Sequence, residues 1–288
     1  MIERWDLAFE ARPDSLLETQ MIDHAHDTVM GQPGSPQKAP GHWVLARLGK
    51  KVLRPGGLEL TRLMLRSLAI DHRDDVVEFA PGLGATARIT LARSPRSYVA
   101  IERDERAADS VRRLLKAPNQ RCIVGRAEQT GLVDGCAAVV YGEAMLTMQS
   151  PPAKARIIAE AARLLAPGGR YGIHEIALTP DDIDAETTDR INHDLSGAIR
   201  HAVIPLTAAA WRDQLAQHGL HVVAEHLAPM HLLEPRRLLA DEGLGGTVRF
   251  LWNLGRDQES RRRVLEMRRV FRKHREKLIA ISLIAEKR

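Results

Sequence analysis

The chain has 288 residues and a formal charge of +5, from 42 Lys and Arg against 37 Asp and Glu. Hydrophobic residues make up 44% and charged residues 27%, a globular composition that excludes wholesale disorder. Two cysteines, Cys122 and Cys136, exclude a disulfide framework and a four-cysteine zinc site. No apolar run approaches the roughly 18 residues of a membrane span. The stretch Met1-Ile2-Glu3-Arg4-Trp5-Asp6 lacks the basic and apolar regions of a secretory signal, so the expectation is a cytoplasmic protein without a metal.

Residues 1–57 read as a helical lid. Apolar positions Leu16, Leu17, Met21, Ile22 and Val29 follow a loose helical spacing over Ser15 to Met30. The segment Gly31 to Gly41 then holds three prolines and three glycines in eleven residues, which forbids helix and strand interiors. His24 and His26 look like a ligand pair, but side chains two apart on a helix diverge by about 200°. The turn Arg54-Pro55-Gly56-Gly57 opens a helix over Leu58 to Ala69, with Leu60, Leu63, Met64 and Leu68 as its buried stripe.

From Asp75 strands alternate with helices. Strands are expected at Val76–Phe79, Ser97–Ile101, Gln120–Val124, Ala137–Tyr141 and Arg170–Leu178. Helices are expected at Ala85–Ala92, Glu105–Leu115 and Ala153–Leu165, the last ended by Pro167-Gly168-Gly169. Repeated βαβ units predict an α/β fold, a Rossmann-like, mostly parallel sheet with helices on both faces. The core spans 58–288, with a polar cap insertion over 179–205, a helix at Thr207–Gln217 and a strand at His221–Glu225. A long basic helical region over 235–277 precedes a last strand at Leu278–Ala285.

The informative segment is Glu78-Phe79-Ala80-Pro81-Gly82-Leu83-Gly84, entered from a strand and left by a helix, where glycines let a ligand approach the backbone. Gly82-x-Gly84-x-x-Ala87 also fits a dinucleotide pattern, so a nicotinamide-dependent oxidoreductase is an alternative. Electrostatics separates the two. Unit charges 4 Å apart at an effective dielectric of 20 interact by about 4 kcal/mol. Glu78 therefore opposes a pyrophosphate and suits an ammonium group. Glu102 follows the second strand at the spacing of an acid that accepts ribose hydroxyls. A nucleoside carrying an ammonium and no phosphate meets both demands, and S-adenosylmethionine is such a ligand.

Glu78-x-x-Pro81-Gly82-x-Gly84, Ala100-Ile101-Glu102-Arg103-Asp104, Gly125-Arg126-Ala127-Glu128 and Leu164-Leu165-Ala166-Pro167-Gly168-Gly169 together resemble the successive motifs of class I S-adenosylmethionine-dependent methyltransferases. The small-molecule branch, which includes quinone-biosynthesis enzymes, is the most similar. The resemblance implies seven strands with the last inserted antiparallel, and S-adenosyl-L-homocysteine as product. It places Glu78 toward the methionine ammonium, Ala80, Pro81, Gly82 and Gly84 along the cofactor, Glu102 and Arg103 at the ribose, and Ala127 and Glu128 beside the adenine. Arg126 stands where the family has an acid, and Ala137-Ala138 replaces an aromatic-acid pair.

Chemistry is expected at the carboxyl ends of the fourth and fifth strands. Glu143 is a candidate for the cofactor ammonium or the substrate, and His174 for a general base. Trp43, Met145, His193 and His201 are candidate substrate contacts. Glu143-Ala144-Met145-Leu146 lacks the Asn/Asp-Pro-Pro-aromatic element of base-nitrogen methylation. Two cysteines in or beside strands are too few to hold arsenite. The expected partner is a small methyl acceptor, with the oligomeric state open. The arginines at 261–263, 268–269 and 272 leave an RNA methyltransferase as a further alternative, although aromatics at 4% of the chain offer few stacking platforms.

Overall fold

The central strands Asp75–Phe79, Ser97–Glu102 and Ala137–Glu143 are short, apolar and bounded by turns, so both of their faces are buried and helices must cover them, whereas the strand Leu220–Pro229 exposes every second residue. The computed structural model describes residues 40–50, 54–230 and 233–288. The readings over 1–39, including the helix at 15–30, most of the Pro/Gly loop, and His24 and His26, lie outside the described residues.

Among the described residues eight strands form one sheet: β1 (Asp75–Phe79), β2 (Ser97–Glu102), β3 (Gln120–Val124), β4 (Ala137–Glu143), β5 (Leu165–Leu178), β6 (Leu206–Thr207), β7 (Leu220–Pro229) and β8 (Leu278–Lys287). Their order is β3-β2-β1-β4-β5-β8-β7, with β6 added beside the end of β5. β1 to β6 pair in parallel, and β8 runs antiparallel to both β5 and β7. The expected antiparallel insertion of the last strand is thus present, and the two-residue β6 is an addition. The strand order reverses between β1 and β4, and a crevice opens at that switch point outside the carboxyl ends of the strands.

The helices are α1 (Gly41–Arg47), α2 (Gly57–Leu68), α3 (Ala85–Leu91), α4 (Glu105–Arg112), α5 (Pro151–Leu164), α6 (Ala185–Ile199), α7 (Ala208–Ala216), α8 (Pro235–Arg256) and α9 (Gln258–Lys273). On α2 the buried face includes Leu60, Met64, Leu65 and Leu68, so Leu65 replaces the expected Leu63. β5 starts at Leu165 rather than at Arg170. Ala137 pairs with Leu165 and Val139 with Arg170, so Pro167-Gly168-Gly169 is a bulge inside the strand and not a loop before it. The region read as one helical stretch over 235–277 is three helical segments and a turn: α8 is broken within its length by non-helical backbone at Gly243 (φ +69°) and ends at Arg256. α8 and α9 are separated at Asp257, whose carboxylate accepts from the Ser260 N–H at 2.9 Å and caps α9.

Three apolar clusters hold these layers. One packs α5 and α7 on one face of the sheet, and a second packs α2, α3 and α4 on the other. The third joins α1, α6, α8 and α9 to the ends of β5 and β8 through Leu45, Leu195, Phe250, Met267 and Phe271, among others. A helical cover over the carboxyl end of the sheet is therefore assembled from segments far apart in sequence. Among the described residues no helix is long and apolar enough to cross a membrane.

Trp211 on α7 is fully buried, and its indole N–H donates to the Ile176 carbonyl at 3.0 Å. Trp211→Ala loses packing and orphans that carbonyl, so it is expected to cost about 3–5 kcal/mol. The drop is read in the urea unfolding midpoint.

Candidate functional site

The crevice at the switch point is a cavity of about 230 Å³, open to solvent. The loop from β1 to α3 forms one wall. Gly82 (φ +56°) and Gly84 (φ +75°) both adopt left-handed backbone, but for different ends. A Cβ at Gly82 would meet nothing within 4 Å and would project into open space at the cleft. A Cβ at Gly84 would lie 2.6 Å from Leu114, so this glycine serves the packing of the following helix. Gly84 does not line the cleft.

Glu102 at the end of β2 is 7% exposed. Its two oxygens accept from the Gly82 N–H at 2.9 Å and the Asp104 N–H at 3.0 Å, so the acid and the glycine loop hold each other in place. Burial raises its pKa against those hydrogen bonds. Arg103 is exposed beside it on the cleft wall.

Glu78 lies in the middle of the sheet, with Ala100 and Tyr141 as its register partners. Its Oε2 accepts from the Tyr98 hydroxyl at 2.5 Å and the Tyr141 hydroxyl at 2.7 Å. Burial outweighs both hydrogen bonds and pushes the carboxyl up to about 7. The side chain read as a standing negative charge is therefore half-protonated near neutrality.

Glu143 ends β4 and behaves oppositely. Burial would raise it, but the Arg54 guanidinium and the His174 hydrogen bond overcome burial and hold it at about 2. It also accepts from the Thr61 hydroxyl at 2.6 Å, and Arg54 and Thr86 complete its surroundings. Arg54, from the turn ahead of α2, reaches Thr86 as well as Glu143 and lines the cleft.

His174 stands directly opposite Glu143 in the β4–β5 register. It is fully buried, with Nδ1 2.7 Å from Glu143 Oε1 and Nε2 2.5 Å from the Pro55 carbonyl. Both ring nitrogens are occupied and neither faces the cleft, so the geometry does not support the expected general base. His174 instead locks Glu143 to the turn that carries Arg54. Its neighbour Glu175 accepts from the Met145, Leu146 and Thr147 N–H groups at 3.0, 2.7 and 3.1 Å, and from the Thr147 hydroxyl at 2.6 Å.

Of the other expected contacts, Trp43, Met145 and His201 reach the cleft, as do Ala80 and Pro81. His193 is exposed on α6 and away from it. Ala127 is packed into the core, and Glu128 is bonded to Arg126 at 2.6 Å; neither lines the cleft. Arg54, Thr86, Met148 and Gln149 line it without having been singled out from the sequence.

A methyltransferase domain model matches residues 76–169. An uncharacterized protein of Haemophilus influenzae is 31% identical over 252 residues, covering 86% of this chain and 98% of that protein. Among solved structures, the MccD protein is similar with a TM-score of 0.65 at 19% identity, over 82% of this chain and 100% of that one. The cyclopropane synthase MmaA2 of Mycobacterium tuberculosis is similar with a TM-score of 0.64 at 14% identity, over 89% and 100%. A geranyl diphosphate methyltransferase in complex with GPP and sinefungin gives 0.58 at 12% identity, over 80% and 78%.

The chain belongs to the class I S-adenosylmethionine-dependent methyltransferases. Its cofactor is S-adenosylmethionine, and the nicotinamide alternative falls away. The residues of this methyltransferase fit that cofactor. Three buried carboxylates and one buried guanidinium, Arg54, border the cleft, a balance of charge hostile to a pyrophosphate. The space beyond Gly82 would be filled by a Cβ.

Glu175 anchors the loop that carries Met145 into the cleft of this methyltransferase. Glu175→Gln sets amide hydrogens against backbone donors, so stability is expected to fall by about 1–3 kcal/mol. The urea midpoint reads that loss. Calorimetry on the folded variant should also show weaker S-adenosylhomocysteine binding.

Proposed function

We propose that this methyltransferase moves the sulfonium methyl group to a small, apolar acceptor. The observation that carries the reading is a second hollow, of about 70 Å³, adjoining the cofactor cleft. Ala144 and Met148 border both spaces. Leu45, Ile176, Val203, Met267 and Phe271 are among its walls. Its single charged side chain, Glu175, spends both oxygens on the loop above it. A polar acceptor would lose its hydration there without compensation, so the lining favours an apolar one.

In this reading Glu102 holds the ribose hydroxyls through lone pairs left free by its two backbone bonds. Gly82, Ala80 and Pro81 leave room for the cofactor, and Arg103 flanks the ribose. Glu78 receives the ammonium, and Arg54 the carboxylate, of the amino-acid end. Ala127 and Glu128 would reach the adenine only if the loop after β3 moved toward the cleft. Glu143 acts through Arg54: its depressed pKa keeps the ion pair charged through the neutral range. When bound, the cofactor supplies an electrophilic methyl carbon. Trp43, Met145 and His201 line the cleft rather than the hollow, and in this reading they cover the methyl-donor side and exclude water, which is the contribution orientation and desolvation make to a displacement. His201, on the cleft wall, is the imidazole this reading offers in place of His174 to take a proton from the acceptor.

Calorimetry should detect binding of S-adenosylhomocysteine and none of NADH. Glu102→Ala is expected to weaken the former about tenfold, the loss of one or two hydrogen bonds to a charged group, in a protein that still folds by circular dichroism but melts lower, because the Gly82 and Asp104 N–H groups lose their acceptor. Unchanged affinity would remove Glu102 from the ribose.

Glu78 predicts a pH dependence. An incoming ammonium favours the carboxylate form, so binding releases a proton where the free group is protonated. Affinity for S-adenosylhomocysteine should therefore rise between about pH 6 and 8 and level off above, with a slope of at most about tenfold per pH unit. Glu78→Gln should flatten this profile, and titration in buffers of different ionisation enthalpy counts the proton released.

A further inference from the structure

Helices α8 and α9 carry a surface that the methyl-transfer reading leaves unused. Both bury one side in the same apolar cluster, α8 through Phe250 and Leu254, α9 through Val264, Met267 and Phe271. At about 100° per residue, the side of α8 away from Phe250 carries Leu244, Val248, Leu251 and Trp252 at i, i+4, i+7 and i+8. These are 76%, 65%, 54% and 60% exposed. Four large apolar side chains in one row exceed the scattered exposure normal for a soluble surface.

The charges beside the row have one sign. Between Gly243 and Arg256 the only charged side chains are Arg249 and Arg256, and the Arg256 guanidinium lies over the Trp252 ring at 4.2 Å. The acids one turn earlier, Asp241 and Glu242, are turned inward beside Lys50, with side chains 1% and 2% exposed. On α9 the side opposite Met267 carries Leu265, 51% exposed, among exposed Arg261, Arg262, Arg269 and Arg272. Arg272 shares Glu234 with Arg268, and Glu266 lies to one flank beside Arg263.

We propose that α8 and α9 dock this protein on an anionic lipid surface. An apolar ridge with Trp and Leu, edged by arginines, with no outward acid on α8 and with Glu266 at the flank of α9 beside Arg263, matches a helix lying in the plane of a membrane interface. The apolar row would enter the headgroup boundary while the guanidinium groups meet lipid phosphates. Charge decides between this and the other occupants. A second copy would bring arginines against arginines in an isologous contact, with no outward acid on α8 to receive them. A nucleic acid would pair with the arginines but leave Leu244, Val248, Leu251 and Leu265 in water. The inference stands whatever the methyl acceptor is.

The test is flotation of the full-length protein with vesicles of equimolar phosphatidylcholine and phosphatidylglycerol, beside vesicles of phosphatidylcholine alone. Binding is expected to the anionic vesicles and to be much weaker on the neutral ones. The double substitution Leu251→Glu, Trp252→Glu should weaken it at least about tenfold, since both side chains would be buried in the interface. The pair Arg256→Glu, Arg262→Glu should act in the same direction. All four positions are exposed, so thermal melts should be unchanged, and S-adenosylhomocysteine binding should be retained in both variants. Absence of binding to the anionic vesicles overturns the proposal. So does binding that the apolar pair leaves intact. A dimer in sedimentation that the same pair dissolves would assign the ridge to a second copy. Binding to mixed single-stranded RNA in preference to vesicles would assign the arginines to nucleic acid.

Discussion

Two carboxylates on adjacent strands set the character of the cleft. Glu78 on β1 and Glu143 on β4 are both buried, and the Glu143 charge adds to the cost of ionising Glu78. Their surroundings resolve the conflict by pulling them apart. Among the described residues Glu78 has two tyrosine hydroxyls and no cation in hydrogen-bond contact, so burial keeps its pKa raised. Glu143 has Arg54 and His174 against it and stays ionised. One site thus offers a fixed, internally paired charge and a second acid whose charge a cationic ligand can complete.

That division requires the chain to bring remote segments together. Arg54 sits ahead of α2 and Thr86 opens α3. His174 lies in β5, where the parallel register puts it opposite Glu143. The Pro55 carbonyl then closes the far side of the imidazole. His174, inside β5, orients its neighbours, and both of its ring nitrogens are already engaged. The same economy governs Glu175, which spends its whole acceptor capacity holding the loop after β4.

The cover over the cleft is built likewise. α1, α6, α8 and α9 come from before the sheet, from the insertion after β5 and from the segment before β8, yet they share one apolar cluster. The apolar hollow beside the cleft is lined by residues from all of these but α8, so in the proposed reading acceptor preference is a property of the cover as a whole. Its outward side, on α8 and α9, is a separate surface with a separate charge balance.

Much of the sheet was legible in the chain itself. Apolar runs between Gly and Pro turns mark β1 to β5 and the strand-forming end of the molecule, because buried parallel strands need continuous β-branched segments. Glu78, Gly82 and Glu102 could be singled out since a glycine loop and an acid at a set interval are local features of one βαβ unit. What the sequence could not express are contacts made across the fold. Gly84 looks like Gly82 until Leu114 is seen beneath it. Arg54 reads as a turn residue until Glu143 is found beside it, and the bulge at Pro167-Gly168-Gly169 reads as a helix stop until the β4 register is counted. Local backbone preference and hydrophobic period act over a few residues, whereas the ionisation of a buried acid depends on whichever partners the folded chain sets against it. The order of elements was therefore written in the sequence, and the charge states at the cleft were decided only by tertiary packing.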